Sequence, residues 1–224
     1  MRWFDWGFAQ KIGGTAKILD NKGFDLWAGD YDAQVGLSDE SNEYPFAGYK
    51  EILGRIYSEI MSKGPCKVLD IGVGTATLAV KLHQAGHEVI GIDFSQEMLK
   101  IAAQKMPGAR LLRHDFTLGF PSELDGEKFD FIVTTYALHH LEDSAKLAFI
   151  KEAMEHLAHD GTLLIGDISF ETAEAQNKCR TDCGDGWDDD EFYMTWDDFA
   201  KSLALPRNAD YCQISHCGGI LRIH

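Results

Sequence analysis

The sequence predicts an α/β fold: one open, doubly wound sheet, mostly parallel, closed by an antiparallel C-terminal hairpin, with helices on both faces. Three observations predict it. Short apolar runs alternate with segments of helical period between residues 67 and 166. A glycine turn, Gly72-Val-Gly74, joins the first such run to the helix after it. Near the end, two β-rich runs flank Cys217-Gly218-Gly219, a hairpin signal. Strands alternating with helices give parallel pairing through right-handed crossovers.

The elements follow in order. Residues 1–45 are rich in aromatics, Gly and Asp and read as a helical lead-in with loops. Ile52, Leu53, Ile56, Tyr57, Ile60 and Met61 recur at helical spacing between Ala47 and Met61, and Lys63-Gly64-Pro65 ends that helix. Lys67–Ile71 is the first strand. Thr75–Ala85 is helical, with Leu78, Ala79, Leu82 and Ala85 on one face, and Gly86 stops it. Glu88–Ile92 is the second strand. Ser95 caps a helix through Lys105, closed by Pro107-Gly108. Ala109–Leu112 and Phe129–Thr135 are the third and fourth strands. Ser144–Ala158 is a helix, and Asp160-Gly161 turns into a fifth strand, Thr162–Gly166. Thr195-Trp-Asp-Asp198 opens a helix with an acidic first turn that runs to about Ala204. Tyr211–Ser215 and Ile220–His224 form the hairpin. The 224 residues suit a single domain, with a lead-in over 1–62, a core over 66–167, and an insertion plus hairpin over 168–224.

Composition narrows the function. The net charge is −15, from 36 acidic and 21 basic residues. A surface that negative repels phosphate backbones, which argues against nucleic acid as partner. No apolar run is long enough to span a bilayer. Met1-Arg-Trp-Phe-Asp-Trp6 lacks the basic-then-apolar order of a secretory signal. The expectation is a cytoplasmic monomer or homodimer without a membrane partner. Five cysteines, an odd number, read as free thiols. Cys179 and Cys183 lie one helical turn apart, but no Cys-x-x-Cys pair accompanies them, and no metal is expected. The acidic stretch Asp182–Asp198 has two readings: a solvated loop, or a lid that selects a cationic or amine substrate.

The chemistry concentrates at the glycine turn. Glycine lets the backbone turn sharply and lets a ligand approach without a Cβ in the way. The next helix aims its N–H groups at the same spot. Ligand crevices in such sheets lie at the carboxyl ends of the strands. Asp93 ends the second strand, where a carboxylate can accept both hydroxyls of a ribose. A dinucleotide fingerprint would need glycine at position 77, which is Thr77.

The pattern Asp70-x-Gly72-x-Gly74-x-Ala76 instead resembles the class I S-adenosylmethionine-dependent methyltransferases, whose motif has glycine in the last place. The resemblance continues through Arg113-His-Asp115-Phe116, Phe129–Leu141 and Leu157–Ile165. Leu26-Trp-Ala-Gly-Asp-Tyr-Asp32 resembles the family's lead-in. Matches thus run from about residue 26 to 167. The chain is also similar to small bacterial methyltransferases of poorly defined substrate, including a group linked with methionine-to-cysteine salvage. The resemblance implies a Rossmann-like fold with S-adenosylmethionine as cofactor.

It also implies roles. Gly72 and Gly74, with Thr75 and Ala76, lie under the methionine moiety, and Tyr31 closes over it. Asp93 holds the ribose, and Phe94 and Met98 flank the adenine. Asp115 accepts from the adenine amino group, with Phe116 nearby. Thr135 and Tyr136 line the pocket where the methyl leaves. Met98 and Phe116 could equally be plain core residues. Asp70 either orients the glycine turn through backbone N–H bonds or meets the cofactor directly.

Methyl transfer is an in-line displacement that mainly needs alignment and exclusion of water, so no catalytic residue need stand out. His139, His140 and Tyr136 are the candidates for proton transfer. The two histidines are adjacent, and on an extended segment they face opposite ways and do not share a metal. No Asn/Asp-Pro-Pro-Tyr/Phe or Pro-Cys follows the fourth strand, which argues against amide, adenine-nitrogen and cytosine-carbon acceptors. The expectation is a small-molecule methyl acceptor. A non-methylating binder of the same cofactor is the alternative, and a nicotinamide enzyme the third.

Overall fold

The computed structural model describes residues 41–202 and 208–224. Helix α1 (Tyr49–Ser62) leads into β1 (Lys67–Ile71), then α2 (Ala79–Gln84), β2 (Glu88–Asp93), α3 (Gln96–Lys105) and β3 (Arg110–Arg113). Next come β4 (Phe129–Thr135), α4 (Asp143–His156), β5 (Leu157–Phe170), α5 (Ala173–Cys183), β6 (Met194–Thr195), α6 (Trp196–Ser202), β7 (Ala209–Gln213) and β8 (Gly218–Ile223).

The sheet runs β3-β2-β1-β4-β5-β8-β7, with β6 paired to β5 off that path. Strands β1 to β5 pair in parallel. The hairpin strand β8 runs antiparallel to both β5 and β7. The order reverses between β1 and β4, the switch point at whose carboxyl ends such sheets hold their ligands.

Strand alternation divides the core. Val68, Phe131, Val133, Leu164 and Phe170 face a cluster completed by Ile52, Ile56, Ala79, Leu82, Leu99 and Cys179 from α1, α2, α3 and α5. Leu69, Ile71, Ile132, Leu163 and Ile165 face the other cluster, completed by Phe149, Ile150 and Phe199 from α4 and α6. Both faces are therefore covered by helices, as a buried parallel sheet requires.

Several elements differ from the sequence reading, among them β6, which had no expectation, and the hairpin, whose Gly218 and Gly219 lie in β8 rather than in the turn. The helix expected from Thr75 begins at Ala79, because Ala76 takes a left-handed backbone, φ +65°, and residues 75–78 form the turn instead. Strand β5 starts at Leu157, with a register shift opposite Phe129–Phe131 that absorbs the Asp-Gly pair. Its gain shortens α4 to end at His156. Helix α5 had no sequence expectation; only Cys179 of its residues is buried, so its apolar stripe is almost absent. Among the described residues no helix is long and apolar enough to cross a membrane. The far end of the last expected helix, to Ala204, lies outside the described residues.

Candidate functional site

The glycine turn leaves β1 with three residues in left-handed backbone: Gly72 (φ +73°), Gly74 (φ +51°) and Ala76. A Cβ on Gly72 would sit 2.8 Å from Ala137 Cβ, so the turn after β4 closes against it. Gly72 and Val73 both donate to Ile92 O, at 2.9 Å. Gly74 N–H donates to Asp93 Oδ2 at 2.9 Å, and Ser95 N–H to Asp93 Oδ1 at 2.8 Å. Ser95 Oγ in turn accepts from Met98 N, the expected cap of α3.

These bonds remove one of the two roles expected of Asp70, that of orienting the turn. The carboxylate that orients the glycine turn is Asp93. Asp70 Oδ1 is buried and has no hydrogen-bond partner among the described residues. Burial, and then the charge of Asp93, push its carboxyl up to about 7. An unsatisfied carboxyl at this depth is unfavourable for the fold alone and suits a bound cation or donor.

The other expected residues divide. Thr75 is buried, and its Oγ1 lies 3.4 Å from Thr77 Oγ1. Phe94 is half-buried at the start of the loop after β2, and its carbonyl accepts from Arg113 Nε at 3.2 Å. Asp115 caps the turn Phe116–Leu118 by accepting from Thr117 N and Oγ1 at 3.0 and 2.7 Å. Phe116 is a core residue, its ring 5.8 Å from that of Phe149. Met98 is buried yet joins neither core cluster of described residues. Thr135 ends β4 opposite Gly166. Tyr136 has φ +52°, and its ring sits 5.4 Å from Phe46 and 4.9 Å from Tyr49. Tyr31 lies outside the described residues.

The histidine pair departs from expectation. Leu138–His140 is a 3₁₀ turn rather than an extended segment, so the ring centroids of His139 and His140 lie 4.1 Å apart, tilted by 60°. Asp167, at the carboxyl end of β5, braces this turn. Its Oδ2 accepts from Leu138 N at 2.9 Å and His139 N at 3.2 Å, and its Oδ1 from His139 Nδ1 at 2.5 Å. Glu191 comes in from the acidic segment. Its Oε1 lies 3.6 Å from His139 Nε2 and 3.8 Å from His140 Nδ1. Tyr193 donates to Glu191 Oε2 at 2.6 Å, and Tyr44 bonds Tyr193 through the two hydroxyls.

Burial opposes charge on His139, but Asp167 and Glu191 outweigh it and raise its pKa to about 9. Burial and the charge of His139 hold His140 well below the ordinary imidazole value. Lys146, also buried, fastens the segment down. Its Nζ donates to Leu141 O at 2.7 Å and Phe192 O at 2.5 Å, with Asp143 Oδ1 at 3.1 Å. Phe192 N donates to His139 O at 2.8 Å.

The acidic stretch is solvated over most of its aspartates. Asp182, Asp185 and Asp188–Asp190 are exposed, whereas Glu191 turns inward. Sequence reasoning missed Asp167, Lys146, Glu191 and Tyr193. Asp167 carried a signal, an acidic residue at the carboxyl end of an apolar strand, as at Asp93. Glu191 carried none, because only the tertiary fold brings residue 191 to residue 139.

The chain matches known proteins in sequence and in fold. Residues 68–161 match the family described as "Methyltransferase domain". The chain is 42% identical to an uncharacterized methyltransferase of Oceanobacillus iheyensis over 68% of each chain. It is 35% identical to an uncharacterized methyltransferase of Staphylococcus carnosus over 78% of each. Among solved structures, the DhpI-SAM-HEP complex superposes with a TM-score of 0.67 at 16% identity, over 95% of this chain and 100% of that one. Magnesium protoporphyrin IX methyltransferase from Synechocystis with bound SAH superposes with a TM-score of 0.61 at 18% identity, over 80% and 84%.

Proposed function

The chain belongs to the S-adenosylmethionine-dependent methyltransferases, and on that premise we propose that its methyl acceptor is a small molecule held at the carboxyl ends of β4 and β5. When bound, the cofactor supplies a methyl carbon already activated by its sulfonium sulfur.

The buried, unpartnered Asp70 Oδ1 carries the assignment of residues to the cofactor. It lies beneath the glycine turn and fits the ammonium of a methionine moiety, which would supply both the charge and the donor that the carboxyl lacks. Asp93 is held by two backbone N–H groups, which aim its carboxylate. A carboxylate aimed in this way is the kind of acceptor that a ribose's hydroxyls need. Met98 and Phe94 flank the adenine, and Asp115, its Oδ1 committed to Thr117, offers the other oxygen to the adenine amino group.

The chain's remaining task is alignment and exclusion of water. Tyr136, pinned by its N–H bond to Gly166 O at 2.9 Å and walled by Phe46 and Tyr49, closes one side of the transfer site. His139, His140 and Glu191 form its polar side. The net charge of −15 and the exposed aspartates of segment 182–190 support a small acceptor over a nucleic acid. A turnover assay that follows S-adenosylhomocysteine across small thiols, alcohols, amines and acids tests this. Turnover with one of these classes is expected; turnover only with RNA, DNA or protein would overturn it.

A further inference from the structure

We propose that His139 Nε2, His140 Nδ1 and Glu191 Oε1 form a binding site for a divalent cation of the zinc class, with an open position that takes an oxygen or sulfur donor of the methyl acceptor. The second half of this statement rests on the function proposed above; the first does not. Each of the three side chains offers one ligand atom within 4.8 Å of the other two. Ligands about 2.0–2.1 Å from a tetrahedral ion stand roughly 3.3 Å apart. The separations of 3.6 and 3.8 Å from Glu191 Oε1 thus need a contraction of only a few tenths of an ångström.

Two further features are those of a built site. Asp167 Oδ1 takes the Nδ1 hydrogen of His139, which turns the Nε2 edge toward Glu191. A carboxylate behind a ligating imidazole is the usual support of such a ligand. Tyr193 holds Glu191 Oε2 in the same manner, leaving Oε1 to the histidines. Each supporting group is itself fixed: Asp167 by Leu138 N and Ile168 N at 2.9 and 2.8 Å, Tyr193 by Tyr44. Two imidazoles and one carboxylate suit zinc and its neighbours better than calcium or magnesium, which prefer all-oxygen shells. Three protein ligands leave a fourth position for a substrate, as in catalytic rather than structural zinc sites. The side chains of His140 and Glu191 stay 26% and 20% exposed, so that position is reachable from outside.

The test uses the full chain, stripped with chelator and titrated with Co2+ as an optical probe, then with Zn2+ in competition. One Co2+ per chain is expected, with visible d–d bands of four- or five-coordinate geometry. Glu191→Gln and His140→Gln should each weaken uptake at least about tenfold, and Tyr193→Phe less. The combined Cys179→Ser, Cys183→Ser, Cys217→Ser variant should bind as the parent does, since the thiols lie outside the site. Absence of tight stoichiometric uptake, or uptake unchanged in both ligand variants but lost with the cysteines, would overturn the proposal. S-adenosylhomocysteine calorimetry on the same samples separates the two readings. Normal cofactor binding without metal uptake refutes the metal site alone. Metal uptake without cofactor binding refutes the residue assignment made under the proposed function.

Discussion

Replacing Asp70 by Asn should stabilise the ligand-free protein at alkaline pH while weakening its hold on S-adenosylmethionine. The sign follows from linkage. The Asp70 carboxyl is pushed from 3.8 to about 7 by burial and by Asp93. Between about pH 4 and pH 7 the folded chain therefore keeps a proton that the unfolded chain has lost. Stability from this group is intact below about pH 4, falls as pH rises through that window, and levels off above about pH 7. Three pKa units at 1.36 kcal/mol each set an upper limit of roughly 4 kcal/mol. Asparagine removes the charge but leaves a buried amide to satisfy, which costs about 1–3 kcal/mol at every pH. The net expectation is a gain of about 1–3 kcal/mol at pH 8 that vanishes or reverses at pH 4.5. Urea denaturation of both proteins, without ligand, at the two pH values measures it. Calorimetry at pH 8 should show affinity for S-adenosylmethionine lower by about tenfold or more, the scale of a charged hydrogen bond. Parallel stability profiles for the two proteins would refute the argument, because they would mean that Asp70 carries no uncompensated charge in the folded state.

Other perturbations probe the surrounding structure. Asp93→Ala should weaken S-adenosylhomocysteine binding by about 1–3 kcal/mol in calorimetry, since it removes the ribose acceptor and frees the Gly74 N–H; unchanged affinity would move the ribose elsewhere. Gly166→Ala should cost about 1–3 kcal/mol in a denaturant melt, because the new Cβ would stand 2.5 Å from Ile52 Cγ2 and 2.9 Å from Ile56 Cδ1, both fully buried. Lys146→Met fits the same volume but strands the carbonyls of Leu141 and Phe192. A loss of about 1–3 kcal/mol is expected, with faster amide exchange at Phe192; exchange at the parental rate would show that the clamp is not what holds the segment.

The parts of the fold legible in the sequence are those set by local chemistry. The apolar runs at 67–71, 88–92 and 129–135 became β1, β2 and β4 because burial on both faces demands continuous apolar residues. Ser95 capped its helix as its residue type predicts. The hairpin formed, although its turn falls on residues 214–217 and Gly218 and Gly219 lie within β8. The glycine turn was visible too, although the length of its left-handed run was not, since alanine seldom adopts that backbone and Ala76 does so here. Helix α5 was illegible because a helix with one buried side chain leaves little periodic trace. The site was half legible. Asp93, Gly72 and Gly74 sit where the motif implied, as both ends of that motif lie on adjacent strands. The arrangement of His139 and His140 was not readable. It depends on a 3₁₀ turn imposed by Asp167, 28 residues further on.

The Lys146 clamp has a consequence for how such a chain can change over generations. One ammonium satisfies carbonyls on both sides of the junction between the post-β4 turn and the segment bearing Glu191. A lineage that lost the lysine would release the loop, and with it the carboxylate that faces the histidines. Positions 139, 146, 167 and 191 should therefore vary as a set across relatives, retained together or surrendered together, while the exposed aspartates at 188–190 drift freely beside them.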